Sequence, residues 1–370
     1  MNILGIISFK AFPARMGGQK GVVDFYSYLS KHNKIHLAVT KDNEKAKGES
    51  FAFFPILFNH WMGMLNLFRI HSLIHIIRKH KVDVIIIEHS YYGWLGLVLK
   101  YFTDKPFVIH SHNIEAERFK LAGRKWWKLY GYYERWAHRK ADHIFYKCFE
   151  DARYFIDRIG LRHPTHTIIP YGTHLTHIPS VKEKKEARNL LEQAHQVSDH
   201  AILFLFNGTL DYAPNVNAIN IICQTIIPAL RQQDFLFKII ICGNRISPSL
   251  NQSINSVPEI IFTGFVENID MYFKGCNAFI QPSAMATGIK TKLVEALAND
   301  LLVISTEAGI RGISKHLLEE MILIANNEID FVNSMRAISI NAANHTPAAF
   351  FEVFNWPNIA HKAYLSLQQL

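Results

Sequence analysis

Four short stretches carry residues able to act on an anion or a sugar. In the first, an apolar run Asn277–Gln281 ends at Pro282, and a loop Ser283–Gly288 leads into Ile289-Lys290-Thr291-Lys292-Leu293-Val294-Glu295-Ala296-Leu297-Ala298. A strand, a glycine-bearing loop and a helix start make an anion site, because the first helical N–H groups lack internal partners and the helix dipole adds positive potential. Lys290 and Lys292 add two cations there. Glu295, one turn in, can accept hydrogen bonds from two vicinal hydroxyls such as those of a ribose. A diphosphate on the helix end and a ribose on Glu295 are chemically coherent; the competing reading makes all three first-turn surface charges.

The second stretch, Asn207-Gly208-Thr209-Leu210-Asp211-Tyr212-Ala213-Pro214-Asn215, follows an apolar strand-like run. Gly208 permits close backbone approach and Asn215 can cap the next helix, although plain capping explains Pro214-Asn215 equally well. The third, Met16-Gly17-Gly18-Gln19, follows the first strand and opens a helix, so its amides can face a phosphate or a sugar. It has neither the three-glycine spacing nor the acidic strand end of a dinucleotide fingerprint, which makes hydride transfer a poor fit. In the fourth, His110-Ser111-His112-Asn113-Ile114-Glu115, a histidine stands at a strand's C-terminal end, where Glu115 and Glu117 could orient it. A core histidine is the plain alternative.

These stretches need strand ends to present them, and short β-branched runs alternate with helical patterns throughout. The first half reads as strands at Asn2–Ser8, Ile35–Thr40, Val82–Glu88, Phe107–His110, His143–Tyr146 and Thr167–Pro170. Helices fall at Gly21–Lys31, Trp61–His80, Tyr91–Phe102 and the basic stretch from Arg124 to Lys140. A polar segment, Val181–Ser198, reads as a domain boundary with a short helix. Strands then resume at Ala201–Asn207, Phe237–Gly243, Ile260–Thr263, Asn277–Gln281, Leu302–Thr306 and Met321–Ile324, with helices at Val216–Arg231 and Thr291–Ala298. Strands separated by helices imply right-handed crossovers and parallel sheets covered on both faces. The expected architecture is α/β: two doubly wound domains facing a cleft, with ligands at the strands' C-terminal ends.

Length and composition set the bounds. The chain has 370 residues, 49% hydrophobic and 19% charged, enough for two cores and against disorder. No run of 18 uncharged apolar residues occurs, which argues against a membrane-spanning helix. The start, MNILGIISFKAFPARMGG, reads as a first strand and glycine loop instead of a signal peptide, so a cytoplasmic protein is expected. Cys148, Cys223, Cys242 and Cys276 stand far apart without a Cys-x-x-Cys pair, and read as reduced thiols in place of metal ligands. No metal is expected among the 20 histidines either.

The charge is lopsided. Residues 1–172 hold 26 Lys+Arg against 14 Asp+Glu, a net +12, whereas residues 173–370 carry −3. Cations and aromatics interleave most densely from Arg124 through Lys140 (Trp126, Trp127, Lys128, Tyr130, Tyr132, Tyr133, Arg135, Trp136, Arg139). Such a helix suits an anionic membrane surface, with rings at headgroup depth, or packs its rings inward as an ordinary domain helix. Stacking on single-stranded nucleic acid is a third use of that composition, and no nucleic-acid partner is expected here.

Taken in order, these motifs resemble the family 4 (group 1) glycosyltransferases of GT-B fold. The resemblance runs through Gly17-Gly18, "HNIE" at His112–Glu115, "IPYG" at Ile169–Gly172, "GTLDYAPN" at Gly208–Asn215, "FTGFVENI" at Phe262–Ile269, "GIKTKLVEALA" at Gly288–Ala298 and "FNWPNIA" at Phe354–Ala360. It implies an acceptor-binding domain over 1–180, onto which a helix at 352–370 returns, and a nucleotide-sugar domain over 199–351. It further implies retention at the transferred sugar without an essential metal or cofactor, and a glycan or lipid-linked acceptor in bacterial-type polysaccharide or glycoconjugate synthesis. Residue by residue, it assigns Glu295 to the ribose, the Ile289-Lys290-Thr291 amides to diphosphate and sugar, and His112 to the transferred sugar. Lys290 or Lys292 would take over from the family's diphosphate-clamping Arg and Lys, which are absent from Asn207–Asn215. Thr287 replaces the first Glu of the family's pair and Tyr171 its usual Asn. An epimerase or hydrolase on the same fold, or a silent subunit that binds a sugar nucleotide, remain alternatives on sequence alone.

Overall fold

The computed structural model describes residues 1–45, 51–160, 165–233, 235–283, 288–318, 320–339 and 345–370. The chain separates into two compact units. Unit 1 contains Met1–Gly172, a short piece ending at Ile289, and Trp356–Leu370; unit 2 is the remainder, from Thr173 to Asn355.

Unit 1 is a seven-stranded parallel sheet: β1 (Asn2–Ile7), β2 (Lys34–Thr40), β3 (Ala52–Leu57), β4 (Val84–Glu88), β5 (Phe107–Ser111), β6 (His143–Tyr146) and β7 (Thr165–Ile168), in the order β3-β2-β1-β4-β5-β6-β7. The two-residue period of a strand sorts its side chains between two cores. Ile3, Ile7, Val84 and Ile86 face one, with Phe25, Tyr26 and Trp356. Leu4, Ile6, Ile85 and Ile87 face the other, with Leu73, Leu95 and Leu99. Both faces must be apolar, which is why β4 reads VIIIE with every residue buried. The covering helices include α1 (Gly17–Leu29), α2 (Ile70–Lys79), α3 (Gly93–Thr103), α4 (Glu115–Leu121) and α5 (Trp127–Lys140).

Unit 2 repeats the plan. Its strands β8 (Ile202–Asn207), β9 (Phe237–Cys242), β10 (Ile260–Gly264), β11 (Ala278–Gln281), β12 (Leu302–Ser305) and β13 (Ile322–Ile324) run in the order β10-β9-β8-β11-β12-β13, again all parallel. Its helices include α6 (Val181–His195), α7 (Ala213–Ile221), α8 (Asp270–Gly275) and α9 (Thr291–Ala298). The strand order of each sheet reverses once, between β1 and β4 and between β8 and β11. Ligands of doubly wound sheets bind beyond the strand ends at that point.

Three expectations need correction. The apolar run from Trp61 to His80 is a 3₁₀ segment, His60–Arg69, followed by α2. Buried Asn66 fixes that break: its amide bonds Phe58 N (2.8 Å), Phe58 O (3.0 Å) and the Tyr92 hydroxyl (2.7 Å). Strand β3 went unread because at this sheet edge its residues are only partly buried and include Pro55. The polar 181–198 segment, expected to hold only a short helix with few core residues, is mostly one longer helix of unit 2. α6 has 15 residues and buries Ala187 and Leu191. It lies so close to α8 that a Cβ on Gly275 would sit 2.6 Å from Leu191 Cδ1.

The closing helix α10 (Trp356–Leu367) belongs to unit 1, while residues 352–355 stay with unit 2. Trp356 is 1% exposed and stacks near Tyr28 of α1, ring centroids 6.4 Å apart. Trp356→Ala is expected to destabilise unit 1 by about 3–5 kcal/mol, the usual range for emptying a large aromatic site. A urea titration of wild type and variant checks this, and an unchanged midpoint contradicts the packing.

Candidate functional site

In unit 1 the ends of β4 and β5 converge on Glu88, which has no exposure. One oxygen pairs with His110 Nδ1 at 3.1 Å and the other with His112 Nε2 at 2.6 Å. A carboxylate only accepts, so both imidazoles present N–H to it, and His112 Nδ1 is left to accept from the Tyr171 hydroxyl at 2.8 Å. Burial alone would raise the Glu88 pKa, but its interactions with the two imidazoles hold it well below the usual carboxylate range. Burial pushes His110 down to about 4 and His112 well below its ordinary value, so both rings are neutral around an ionised Glu88.

The carboxylate that orients His112 is therefore Glu88, not Glu115 or Glu117. Tyr171 has a structural task of its own, and α1 makes room for it: a Cβ on Gly21 would lie 2.3 Å from the Tyr171 ring. Above the same ring, 4.5 Å from its centroid, lies the fully buried Lys147 amine, with no hydrogen-bond partner among the described residues. Burial lowers its pKa to about 7, against the attraction of Glu88. Sequence reasoning passed over Glu88, although one acid closing an otherwise apolar VIIIE strand is the signal that could have found it.

Gly17 and Gly18 are the first two residues of α1 and are exposed. Just ahead of them the Gln19 side chain accepts from the amides of Arg15 (2.7 Å) and Met16 (3.1 Å).

In unit 2 the site stretches meet at the ends of β8 and β11. Asn207 closes β8, and Gly208 follows so close to its neighbours that a Cβ there would lie 2.5 Å from Asn215 Nδ2. Asn215 does not cap α7; Tyr212 holds the cap position, and Asn215 reaches back to Thr209 O at 2.9 Å. Its Oδ1 accepts from Lys292 Nζ at 3.1 Å, and the same amine donates to Asn207 O at 3.2 Å. Lys292 thereby ties the first turn of α9 to the end of β8, 4.4 Å above the Phe206 ring. Burial, then the nearby Lys290 charge, lower its pKa to about 7.

Lys290 stands at the α9 cap position in extended conformation, and its side chain makes no capping hydrogen bond. Thr291 opens α9, Glu295 is half-buried one turn on, Ile289 is buried, and Gly288 has φ +62°, where glycine is favoured. Residues 284–287, including Thr287, lie outside the described residues. Two buried amide oxygens at this switch point, Asn207 Oδ1 and Gln281 Oε1, have no hydrogen-bond partner among the described residues. Among the described residues the arrangement offers a helix start without a side-chain cap, an amine able to gain charge, and unsatisfied acceptors, features that suit an anion with hydroxyls attached.

Among the described residues, Glu88, His110 and His112 are the group whose ligand atoms lie within 4.8 Å of one another, as a metal site would need. Their mutual hydrogen bonds already account for the carboxylate, and only His110 Nε2 is left without a partner. All four cysteines are free thiols.

Comparison with known proteins identifies the class. The fold is that of GT-B glycosyltransferases. The chain matches a sucrose-phosphate synthase from Thermosynechococcus elongatus (17% identity, TM-score 0.73, 100% of this chain and 99% of that one). It also matches Anabaena HepE, whose structures with UDP and with UDP-glucose align over the whole of both chains at 16% identity, with TM-scores 0.74 and 0.72. In sequence, residues 16–177 match the family described as Glycosyltransferase Family 4, and residues 201–341 that described as Glycosyl transferases group 1. The chain belongs to these glycosyltransferases and is an enzyme of the transferase class. A Klebsiella pneumoniae relative, an uncharacterized 44.6 kDa protein in the cps region, is 26% identical over 158 residues, 41% of this chain and 40% of that protein.

Buried neutral histidines give the fold an acid weakness. The unfolded chain protonates His110, and likewise His138 and His143, near their ordinary value, whereas the native state holds all three to about 4. Between about pH 6.5 and 4 the unfolded state binds more protons, so stability must fall as pH falls through that window. Urea unfolding at pH 7 and pH 5 measures it; equal free energies would mean the rings titrate freely.

Proposed function

We propose that this enzyme transfers a sugar, with retention, from a nucleotide-sugar donor held by unit 2 to a glycan or lipid-linked acceptor held by unit 1. The observation that carries the reading is Lys292, a half-buried lysine strapped across Asn207 and Asn215 in the first turn of α9. As the sugar leaves, charge builds on the diphosphate, and a helix N-terminus with an adjacent amine answers that charge directly. In this assignment the Ile289, Lys290 and Thr291 amides meet the diphosphate and Glu295 the ribose. Gly288, Gly208 and Asn207 shape the floor, and the Gly17-Gly18 amides face the acceptor side. His112, with both ring nitrogens held inside unit 1, acts by positioning its neighbours. The structures of HepE with UDP and UDP-glucose support a nucleotide-sugar donor, and the relative in a cps region supports a role in polysaccharide synthesis. No essential metal enters this reading, because the two lysines supply the positive charge.

We also propose a peripheral site on the cytoplasmic face of a membrane. α5 divides its aromatics: Tyr130 and Tyr133 turn inward, bonding Ser90 Oγ and Tyr91 O at 2.9 Å each. Leu129, Tyr132 and Trp136 are exposed beside Lys128, Arg139 and Lys140. Among the described residues no helix is long and apolar enough to cross a membrane, so such binding would be interfacial. Flotation with anionic liposomes at low salt is expected to carry wild type upward and to leave a Leu129→Glu/Trp136→Glu variant behind; equal behaviour removes the membrane role.

Donor binding is tested by calorimetry with UDP, GDP, dTDP, ADP and CMP. One nucleotide is expected to bind, and Lys292→Met is expected to weaken it by roughly 10- to 100-fold, the worth of a charge-assisted hydrogen bond. Since the Lys292 pKa lies at about 7 without ligand, a bound diphosphate raises it and binding at pH 8 must take up a proton. Titrations in buffers of different ionisation enthalpy read that uptake, which Lys292→Met should abolish. Silence across all five nucleotides removes the donor assignment. Binding without transfer to any acceptor favours a silent subunit.

A further inference from the structure

Three glutamates are buried in unit 1, and they differ in the cation each one has. Glu115 takes Arg118 Nε at 2.7 Å and pairs with His89 Nδ1 at 2.9 Å. Burial would raise its pKa, but the hydrogen bond from His89 and the Arg118 charge keep it ionised. Glu134 accepts from the amides of Glu115 (2.9 Å) and Ala116 (3.1 Å) and from Ser90 Oγ at 3.4 Å, none of them charged. Burial, then the Glu115 charge, push its pKa up to about 8. Glu88 is bonded by two neutral imidazoles and yet stays ionised. Neutral rings supply dipoles but no net charge, and a buried ion without an opposite charge takes up a proton instead.

The opposite charge stands one strand further on. Glu88 pairs in register with His110, and Ser111 with Tyr146, so the next residues, His112 and Lys147, leave adjacent strand ends. Lys147 has no exposure, and its Nζ has no hydrogen-bond partner among the described residues. It lies 4.5 Å from the ring centroid of Tyr171 and 6.0 Å from that of Phe25, faces that favour a cation. Other titratable groups surround the cluster. Burial keeps the Tyr26 hydroxyl of α1 and the Tyr171 hydroxyl neutral. Buried Asp151, beyond β6, acts on Tyr171. The attraction that bears on Lys147 is that of Glu88.

We propose that Lys147 is a positioning residue for His112: its ammonium balances the buried Glu88 charge, which leaves both imidazoles neutral and the His112 Nδ1 lone pair turned to the Tyr171 hydroxyl. Without that ammonium, the balancing proton goes to an imidazole. His112, 2.6 Å from Glu88, then carries N–H on both nitrogens, and Tyr171 must accept where it now donates. The Lys147 charge also opposes a proton on either ring directly. The inference rests on the transferase reading for its purpose only. On that reading His112 serves a sugar that becomes cation-like as its diphosphate leaves, and a neutral ring adds no repelling charge.

Selective ¹⁵N labelling of histidine reads the ring charges, with His110→Gln and His112→Gln assigning the signals. In the wild type at pH 7 both rings are expected to be neutral, His112 with its proton on Nε2. In Lys147→Met, which keeps the apolar stem and removes the charge, one of the two rings is expected to be an imidazolium at the same pH. Lys147→Gln carries the same expectation and replaces the methionine variant if that one does not fold. Unfolding supplies a second readout. Acidification from pH 7 to 5 favours the unfolded wild type, which binds more protons there; the variant is expected to take up about one proton fewer on unfolding, so its urea midpoint falls less. An imidazolium at His110 or His112 in the wild type overturns the assignment. So does a folded variant in which both rings stay neutral, since Lys147 then only fills space. A wild type that binds none of UDP, GDP, dTDP, ADP and CMP removes the transferase reading and the purpose given to His112, while the ring charges still decide the pairing.

Discussion

Glu88 is the constraint on which the functional end of unit 1 depends. A charge taken out of water at the end of a central strand is costly unless hydrogen bonds replace its hydration. Its two oxygens are met by His110 and His112, and each answer has a consequence one residue further out. His112, having given Nε2–H to the carboxylate, can only accept at Nδ1, so Tyr171 must donate. Tyr171 can reach it only if α1 carries no side chain at Gly21. The indole of Trp356 and the rings of Phe25 and Tyr26 then fill the same face of the sheet. Local polarity and distant packing are thus one problem, solved together where β1 and β4 diverge.

Each unit also holds a lysine behind its strand ends, fully buried at Lys147 and half-buried at Lys292, and the two differ in a useful way. Lys147 has an aromatic face and the field of Glu88 but no hydrogen-bond acceptor among the described residues. Lys292 has two acceptors and two rings, Phe206 and Phe279. Both amines are brought to about 7 by burial. Neutral, such a group costs little; charged, it needs a partner. Lys147 lies in the field of Glu88, whereas Lys292 stands at a helix start beside the positive charge of Lys290.

The sequence was most legible where the fold repeats a rule. Apolar β-branched runs such as Val84–Ile87 and Ile239–Ile241 state parallel buried strands, and the helices between them state the crossovers. It was least legible where one polar side chain decides the local backbone. Asn66 pins a 3₁₀ segment that hydrophobic spacing alone reads as part of one long helix, since 3₁₀ and α segments share an i, i+3 apolar pattern. The helix Val181–His195 has the composition of a linker because only one narrow stripe, Ala187 and Leu191, is buried. In the site, the glycines and lysines announce themselves by type and position. The Glu88–His112 and Glu115–His89 pairings do not, because a partner 24 or 26 residues away is set by the order of strands in the sheet.

On the transferase reading, strand order also bears on the diphosphate site. By the family resemblance the clamping cations belong in the loop after the first strand of the second unit, here Asn207–Asn215, which has no Lys or Arg. In a doubly wound sheet β8 and β11 are neighbours, so the loop after β8 and the helix start after β11 open on the same switch point. A cation lost from one can be supplied from the other without moving the anion. Lys292 does reach across, since its amine ends on the carbonyl of Asn207. On the transferase reading the substitution changes the chemistry as well as the address. A guanidinium is charged whether or not a ligand is bound, whereas an amine with a pKa near 7 completes its charge when the diphosphate binds, before the leaving group departs.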